Sequence, residues 1–299
     1  MMKADVRKQF DEYKKLIEQK LDEFLPIEYP EEIWESMRYS VLAGGKRLRP
    51  LMALEICRVL SGSYEQALPT ACAIEMLHSQ SLIHDDLPCM DNDDYRRGKP
   101  TNHKVYGEST AVLAGDALLS FAPQIILQKT AVGTNGVTQD TLLKVLEEFL
   151  VAAGAHKLIA GQVVDIASEG KQIDEKTLDF IHENKTAALF KLAMRTGAML
   201  GGASETQLSA VTEYAEKIGL AFQIMDDILD VTSTLDELGK TPGKDEKYGK
   251  VTYISFYGLD TSKAKVTSLC EEACDILVSN NIKSDVLSAV AESINERVN

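Results

Sequence analysis

The sequence has 299 residues, of which 46 are Asp or Glu and 32 are Lys or Arg, so the formal net charge is 32 − 46 = −14. Hydrophobic residues make up 44% and charged residues 26% of the chain, a balance typical of a globular protein rather than a disordered one. The excess of acidic residues disfavours binding to polyanions, and we expect neither nucleic acid nor an anionic membrane surface as a partner.

The apolar residues and the cysteines exclude further classes. No stretch of the sequence approaches 18 uninterrupted apolar residues, so we expect no transmembrane segment. Residues 1–15 are charged throughout and lack the apolar centre of a signal peptide. The five cysteines are odd in number and form no CxxC pair, which predicts free thiols in a reducing compartment.

Helical spacing of apolar residues runs through most of the chain. The first apolar stripe consists of Val6, Phe10, Tyr13, Ile17, Leu21 and Phe24. Similar spacing predicts helices over 64–84, 108–130, 139–160, 174–200, 204–230 and 263–279. No repeat, low-complexity run or Gly/Ser linker divides the chain. We therefore expect an all-α protein, with one domain over residues 1–299 and roughly ten or more helices.

Two polar segments, 86–107 and 231–250, interrupt the helical pattern. Both are rich in Gly, Pro and charge, and each directly follows a pair of aspartates at the end of an apolar helix. Long loops within compact domains are uncommon and are often functional. The two aspartate clusters are therefore the first candidates for a functional site.

The second cluster contains Asp226, Asp227 and Asp230. On a helix Asp226 and Asp230 lie at i and i+4 on one face, where like charges cost about 0.2–0.5 kcal/mol. Mg²⁺ supplies a reason for that cost, because it takes oxygen ligands and is commonly bound by one or two carboxylates plus a substrate phosphate. The spacing indicates a magnesium site.

The first cluster contains Asp85, Asp86 and Asp91. On a continuous helix Asp85 and Asp91 would face apart, but Pro88 predicts a break that can return Asp91 toward Asp85. A solvated acidic helix end is the alternative for either cluster alone. Two such clusters, each followed by a long loop, favour metal binding.

Cationic residues accompany both clusters, although the protein as a whole is acidic. Arg forks match phosphate oxygens in pairs and Lys supplies a point charge, so we expect a diphosphate held between Mg²⁺ and these cations. A solvated surface is the alternative for the basic run at 46–49, and His78 alone is as readily a core histidine. The cations are Lys46, Arg47 and Arg49 near the N-terminus, Arg96 and Arg97 after the first cluster, and Lys240, Lys244 and Lys250 after the second.

An ordered set of motifs between residues 44 and 250 resembles the trans-isoprenyl diphosphate synthases, in particular the short-chain farnesyl and geranylgeranyl diphosphate synthases of bacteria and plastids. The resemblance implies an isoprenoid synthase fold around a central cavity, a homodimer, and a cytoplasmic location, or the plastid stroma if a transit peptide has been removed. The motifs are GGKRLRP, SLIHDDLPCMDNDDYRRGKPTNHK, GQVVD, KTAAL and FQIMDDILDVT with LGKTPGKD.

The resemblance also implies roles for individual residues. Asp85, Asp91 and Asp226 would ligate three Mg²⁺ that hold an allylic diphosphate, supported by Asp86, Asp227 and Asp230. The same diphosphate would contact Arg96, Lys185 and Lys240. Isopentenyl diphosphate would contact Lys46, Arg49, His78 and Arg97. Thr186 and Gln223 would stabilise the carbocation through their oxygen dipoles, and Lys250 would belong to the loop that closes the site.

The residues below Asp85 on its helix bear on product length. Gln80 lies five residues, or about 7.5 Å, beneath Asp85. Neither Gln80 nor Ser81 is aromatic, and the first motif carries a two-residue insertion, a pattern that resembles geranylgeranyl (C20) synthases. An unpaired buried amide is costly, so we expect Gln80 to turn toward a polar partner.

Three alternatives stay open at this point. The product could be farnesyl diphosphate (C15), whose synthases carry a bulky aromatic residue at this level. A class I terpene cyclase shares the first aspartate motif, but usually lacks a second one. A non-catalytic regulatory subunit typically loses one of the two motifs, whereas both are intact here.

Overall fold

The computed structural model describes residues 3–232 and 250–297. Helices dominate these residues, and the only strands among them form a two-stranded antiparallel ribbon, β1 (Tyr95–Arg96) and β2 (Lys99–Pro100). The all-α prediction is therefore confirmed. The α-helices are α1 (Ala4–Phe24), α2 (Glu31–Val41), α3 (Leu48–Ser61), α4 (Leu68–Asp85), α5 (Asn102–Tyr106), α6 (Glu108–Lys129), α7 (Gln139–Ala153), α8 (Leu158–Ser168), α9 (Glu175–Ile181), α10 (Ala188–Leu200), α11 (Glu205–Thr232), α12 (Tyr253–Tyr257), α13 (Leu259–Ser279) and α14 (Asp285–Asn295).

The apolar stripe of α1 packs inward as its spacing predicts. Val6, Tyr13, Ile17, Leu21 and Phe24 are all buried, while the charged residues between them face outward. Buried residues from α1 through α14 join in one hydrophobic cluster. The chain therefore closes its first and last helices around a shared core.

Helix α4 lies at the centre of this core. Its residues are buried on nearly every side, which fits its weakly amphipathic sequence. Helices α3, α6 and α10 pack around it. Because α4 ends at Asp85, the first aspartate cluster is presented at the end of a helix without exposed residues.

Two predicted helices differ from the observed ones. The segment 139–160 is interrupted after Ala153, where Gly154 begins a turn that leads into α8. The segment 174–200 is helical throughout, but His182–Ala187 form a π-helical turn between α9 and α10. A π-turn is common at functional sites, and this one carries Lys185 and Thr186.

Two described segments are long and apolar enough to cross a membrane by length and composition alone, Glu108–Lys129 and Gln139–Ser168. Core helices of soluble proteins pass the same test. The second segment is also broken into α7 and α8, of 15 and 11 residues, whereas a membrane-spanning helix needs about 20. The expectation that no segment spans a membrane stays a prediction.

Candidate active site

A cavity of about 680 Å³ opens between α4, α8, the π-turn and α11. Both aspartate clusters line it, Asp85 and Asp91 from the end of α4 and the turn after it, and Asp226, Asp227 and Asp230 from α11. Polar residues such as Gln80 and Gln162 line it as well. Aliphatic side chains supply a large part of the remaining lining, among them Leu119, Leu158, Ile159, Ile166, Ile181 and Leu189. The cavity therefore combines charged groups with a substantial aliphatic surface.

The first cluster is shaped by the break after α4. The backbone N–H of Asp91 donates to the carbonyl oxygen of Asp85 at 2.8 Å, so the chain returns on itself as Pro88 predicts. The pKa of Asp85 is raised to about 6, chiefly by burial, with Lys185 opposing the shift and Asp91 adding to it. A carboxylate held at this cost favours a bound cation.

Asp86 lies apart from the central cavity. It accepts hydrogen bonds from Nε and Nη2 of Arg96 at 2.6–2.9 Å, and only 3% of the residue is exposed. Arg96 itself lines the cavity and also approaches Asp93 at 3.5 Å. Asp86 thus holds Arg96 in place, whereas the sequence suggested direct or water-mediated support of a metal.

In the second cluster, hydrogen bonds fix Asp227. Its Oδ1 accepts from Gln223 Nε2 at 2.9 Å, and its Oδ2 accepts from the backbone N–H of Tyr253 at 3.0 Å. The other amide atom of Gln223, Oε1, accepts from the Thr186 hydroxyl at 2.6 Å. Gln223 therefore presents its oxygen to Thr186, and the oxygen dipole left for a cation is the Thr186 hydroxyl.

Three segments meet at Asp165. Its Oδ2 lies 2.5 Å from Lys185 Nζ and 3.6 Å from Lys250 Nζ, and Lys250 also approaches Asp91 at 3.4 Å. Burial alone would lower the pKa of Lys185, but Asp85 and Asp165 outweigh it and raise the pKa. Lys185 is therefore charged, and the ammonium groups of both lysines lie against carboxylates that line the cavity.

Arg49 and His78 line the cavity below these groups. The Arg49 guanidinium stacks on Phe190, 4.5 Å from the ring centroid, and burial lowers its pKa from the ordinary high value. Burial lowers the pKa of His78 well below its usual range, and Arg49 and Arg97 lower it further. His78 is therefore a neutral hydrogen-bonding group at pH 7.

Two predicted substrate-binding residues lie beside the cavity rather than in its lining. Lys46 is exposed, with its Nζ 5.9 Å from the centroid of Phe222. Arg97 donates to the carbonyl oxygen of Gly44. A methyl group at Gly45, where φ is +137°, would lie 3.1 Å from the Arg97 guanidinium, so the Gly44-Gly45 pair makes room for that side chain.

Lys240 and Lys244 lie outside the described residues.

Gln80 and Ser81 both line the cavity. The Gln80 amide meets His84 Nδ1 at 3.1 Å, and the Ser81 hydroxyl donates to the carbonyl oxygen of His78 at 2.9 Å. The sequence prediction that Gln80 turns toward a polar partner agrees with this contact.

Sequence reasoning assigned no role to three other residues of the cavity wall. Asp165 belongs to the GQVVD motif, so its pairing with two lysines could have been suspected from that motif. Gln162 and His182 line the cavity, yet both amide atoms of Gln162 and Nδ1 of His182 are buried without a hydrogen bond to the described residues. Burial lowers the pKa of His182 to about 4.

The donor set fits Mg²⁺ in its chemistry, because carboxylate oxygens line one end of the cavity from two sides. Among the described residues, no three His, Cys, Asp or Glu side chains converge closely enough to enclose an ion by themselves. Mg²⁺ usually keeps waters and takes one or two carboxylates plus substrate phosphates. An open arrangement of this kind suits a metal that arrives with a phosphorylated substrate.

The fold and the cavity together define a class: an all-α protein that gathers carboxylates, cations and aliphatic side chains around one cavity. Residues 30–291 match the family model described as polyprenyl synthetase. The chain belongs to that family.

Individual relatives extend over nearly the whole chain. A dimethylallyltranstransferase of Fischerella ambigua is 50% identical over 93% of this chain and 80% of its own length. A geranylgeranyl diphosphate synthase of Cyanophora paradoxa is 47% identical, over 96% and 95%. The crystal structure of an apo FPP/GFPP synthase from Zymomonas mobilis superposes with a TM-score of 0.86 at 32% identity, covering 98% of this chain and 99% of the other. A geranyltransferase from Helicobacter pylori, complexed with magnesium and isoprenyl diphosphate, gives a TM-score of 0.80 at 28% identity, covering 96% of both chains.

Proposed function

We propose that this protein is a Mg²⁺-dependent prenyltransferase that condenses isopentenyl diphosphate with allylic diphosphates and releases diphosphate, with geranylgeranyl diphosphate (C20) as its product. One observation carries the proposal. Carboxylates from two clusters that are distant in sequence line one cavity together with Arg49, Arg96, Lys185 and Lys250, and aliphatic side chains supply a large part of the same lining. That arrangement suits a substrate with a diphosphate head and a hydrocarbon tail.

The cations would bind and neutralise the departing diphosphate. Lys185 and Lys250 are held by Asp165, and Arg96 is held by Asp86, so all three are positioned before substrate arrives. Lys240, which lies outside the described residues, would join them. Asp85, Asp91, Asp226 and Asp230 would hold Mg²⁺, which, when bound, supplies further positive charge to stabilise the leaving group. We propose three ions per site.

The reacting carbons would lie near the Thr186 hydroxyl, which donates its hydrogen bond to Oε1 of Gln223. Its oxygen lone pairs can then stabilise the allylic carbocation without competing as a proton donor. The double bond of isopentenyl diphosphate attacks this cation, and the proton lost afterwards passes to the departing diphosphate. Arg49, His78, Lys46 and Arg97 would bind the isopentenyl diphosphate.

Two features support C20 rather than C15. Gln80 and Ser81 line the cavity and neither is aromatic, so no bulky ring at this level of α4 would stop a longer chain. The Cyanophora relative, which covers nearly all of this chain, carries the name geranylgeranyl diphosphate synthase. Because other relatives are named for different prenyl transfers, we treat C15 as the alternative product.

We also propose that the protein is a homodimer of the cytoplasm or the plastid stroma. Helices α6 and α7 are adjacent and expose large apolar side chains: Val112, Leu113 and Leu127 on α6, and Leu143, Leu150 and Val151 on α7. Large apolar side chains exposed on two adjacent helices are typical of a subunit interface.

Purified protein incubated with labelled isopentenyl diphosphate and each allylic primer, dimethylallyl, geranyl or farnesyl diphosphate, tests the function directly. We expect C20 products that require Mg²⁺. Asp85→Ala and Asp226→Ala should lower turnover by orders of magnitude while the circular dichroism spectrum stays helical. Near-normal turnover in either variant would contradict the metal assignment. A cyclic hydrocarbon formed from geranylgeranyl diphosphate alone would indicate a terpene cyclase instead.

A further inference from the structure

Gln80 and His84 lie one turn apart on α4, and both line the cavity. Nε2 of Gln80 lies 3.1 Å from Nδ1 of His84, and Nε2 of His84 lies 3.1 Å from the carbonyl oxygen of Val112 on α6. Because a carbonyl oxygen can only accept, the imidazole carries its proton on Nε2 and accepts from the Gln80 amide at Nδ1. His84 thus connects the Gln80 side chain to a second helix.

Gly115 on α6 makes room for this imidazole. A methyl group at that position would lie 2.0 Å from Nε2 of His84 and 2.4 Å from its Cδ2, far inside contact distance. Gly115 has ordinary helical geometry, so its need for glycine comes from close approach and not from backbone conformation. Three residues of α4 and α6 therefore form one interlocked unit in the cavity wall.

We propose that His84, seated against Gly115 and the Val112 carbonyl, is a positioning residue that holds the Gln80 amide along the cavity wall and thereby sets the length of the prenyl product. The inference rests on the proposed prenyltransferase function and deepens it. Product length is then a property of the Gln80–His84–Gly115 unit and not of residue 80 alone.

The physical reason lies in the position of a long polar side chain beside a hydrocarbon path. Gln80 is only 8% exposed, so its amide needs a protein partner. While His84 accepts from that amide, the Gln80 side chain follows α4 toward the mouth of the cavity. Without His84 the amide loses its partner and can extend across the cavity. An unpaired amide and a side chain that extends across the cavity both disfavour a long apolar chain at this level. Loss of His84 therefore predicts shorter products.

The test measures the ratio of C20 to C15 products from labelled isopentenyl diphosphate and geranyl diphosphate, under conditions where each variant turns over. His84→Leu and Gly115→Ala should each lower this ratio by about tenfold, the scale on which one pocket contact discriminates substrates. The ratio depends on how elongation of the C15 intermediate competes with its release, so the rate of the first condensation is measured beside it. A ratio that falls only in proportion to that rate would reflect a general loss of activity and would contradict the positioning role. If Gly115→Ala fails to fold, His84→Leu carries the test.

A double-mutant comparison separates positioning from packing. Gln80→Leu removes the amide that His84 holds, so adding His84→Leu to that background should change the ratio much less than it does in the wild-type protein. Gly197→Ala is the matched control for crowding, because its new methyl group would lie 2.4 Å from the carbonyl oxygen of Ala53 at a helix contact outside the cavity lining. Gly197→Ala should lower stability and leave the ratio unchanged.

Active His84→Leu and Gly115→Ala variants with the wild-type product ratio would overturn the positioning role alone. An equal effect of His84→Leu with and without the Gln80 amide would overturn it as well. A wild-type protein that makes no prenyl diphosphate from any primer would instead overturn the proposed function.

Discussion

Asp165 shows how a single carboxylate can organise a cationic site. Burial would raise its pKa, yet Lys185 and Lys250 outweigh burial and lower the pKa below its usual range. Asp165 is therefore ionised at neutral pH and holds two ammonium groups from different segments. A buried charge that is paired in this way is costly to remove, because its partners are then left uncompensated.

We expect Asp165→Asn to lower kcat/KM for the allylic substrate by about 10–100-fold, since both lysines lose their shared partner. Steady-state kinetics with the allylic diphosphate varied would measure this loss. Asp140→Asn is the matched control, because Asp140 pairs with Lys144 at 2.9 Å on the exposed surface of α7. Equal kinetics for Asp165→Asn and the control would show that Asp165 has no positioning role.

The raised pKa of Asp85 predicts a pH-dependent stability of the metal-free protein. Because the folded pKa of about 6 exceeds the unfolded value of about 3.9, the contribution of Asp85 to stability is fully present below pH 3.9 and is lost as the pH rises through 6. Asp85→Asn mimics the protonated acid, so it should be more stable than wild type at pH 7.5, by on the order of 1–2 kcal/mol.

Urea unfolding of both proteins without Mg²⁺ measures this difference. The advantage of Asp85→Asn should shrink toward zero by pH 4, where Asp85 is itself protonated. A difference that is the same at both pH values would contradict the assignment.

At the scale of whole elements, α8 and the π-turn approach each other closely enough for backbone contact. A methyl group at Gly161 would lie 2.5 Å from the backbone nitrogen of Lys185. On the other side of the turn, a methyl group at Gly219 of α11 would lie 2.7 Å from Ala187. Two glycines therefore clamp the turn that carries Lys185 and Thr186.

Gly161→Ala should push this turn away from α8. Overpacking of this kind costs about 1–3 kcal/mol, and a displacement of about 1 Å in a positioning group can lower turnover about 100-fold. Thermal unfolding and turnover, both measured well below the melting temperature, would separate the two effects. Gly201→Ala serves as control, because its methyl group meets Cys57 and Leu60 at 3.1 Å outside the cavity lining. Normal turnover in Gly161→Ala would contradict the clamp.

At the scale of the whole molecule, the apolar face of α6 and α7 decides the predicted assembly. Leu113 and Leu143 are 59% and 64% exposed. Contact with a second subunit would remove these apolar side chains from water, which is favourable. We expect Leu113→Glu combined with Leu143→Glu to convert a dimer into a monomer, as measured by light scattering after size exclusion.

Val278→Glu provides the control for that experiment. Val278 on α13 is 74% exposed, and the change adds the same kind of charge away from α6 and α7. The control should stay dimeric. A wild-type protein that is monomeric at micromolar concentration would refute the assembly.

The positions of the helices could be predicted from the sequence more fully than the contacts between them. Apolar spacing located α1, α4, α6 and α11 closely, because burial of one helical face imposes that period. It did not separate α7 from α8, since Gly154 interrupts the helix without interrupting the apolar pattern. It could not reveal the π-turn, whose extra residue is invisible in an apolar period.

The site divides in the same way. The aspartate clusters and the cations could be recognised in the sequence from their residue types and spacing. The helix break that brings Asp91 back toward Asp85 was predicted from Pro88. The partner of each group was not visible. Asp86 proved to hold Arg96, and Gln223 turned its oxygen to Thr186, because hydrogen-bond geometry depends on side chains brought together from distant segments.

By itself the sequence determined that this protein is helical and that carboxylates and cations are concentrated at a few points along the chain. Both are local properties of the chain. Only the tertiary structure decided that those points share one cavity with many aliphatic side chains, and that His84, seated against Gly115, holds Gln80 within it. The net charge of −14 says little about ligands. What matters for a diphosphate is the local field inside the cavity, and folding alone brings those charges together.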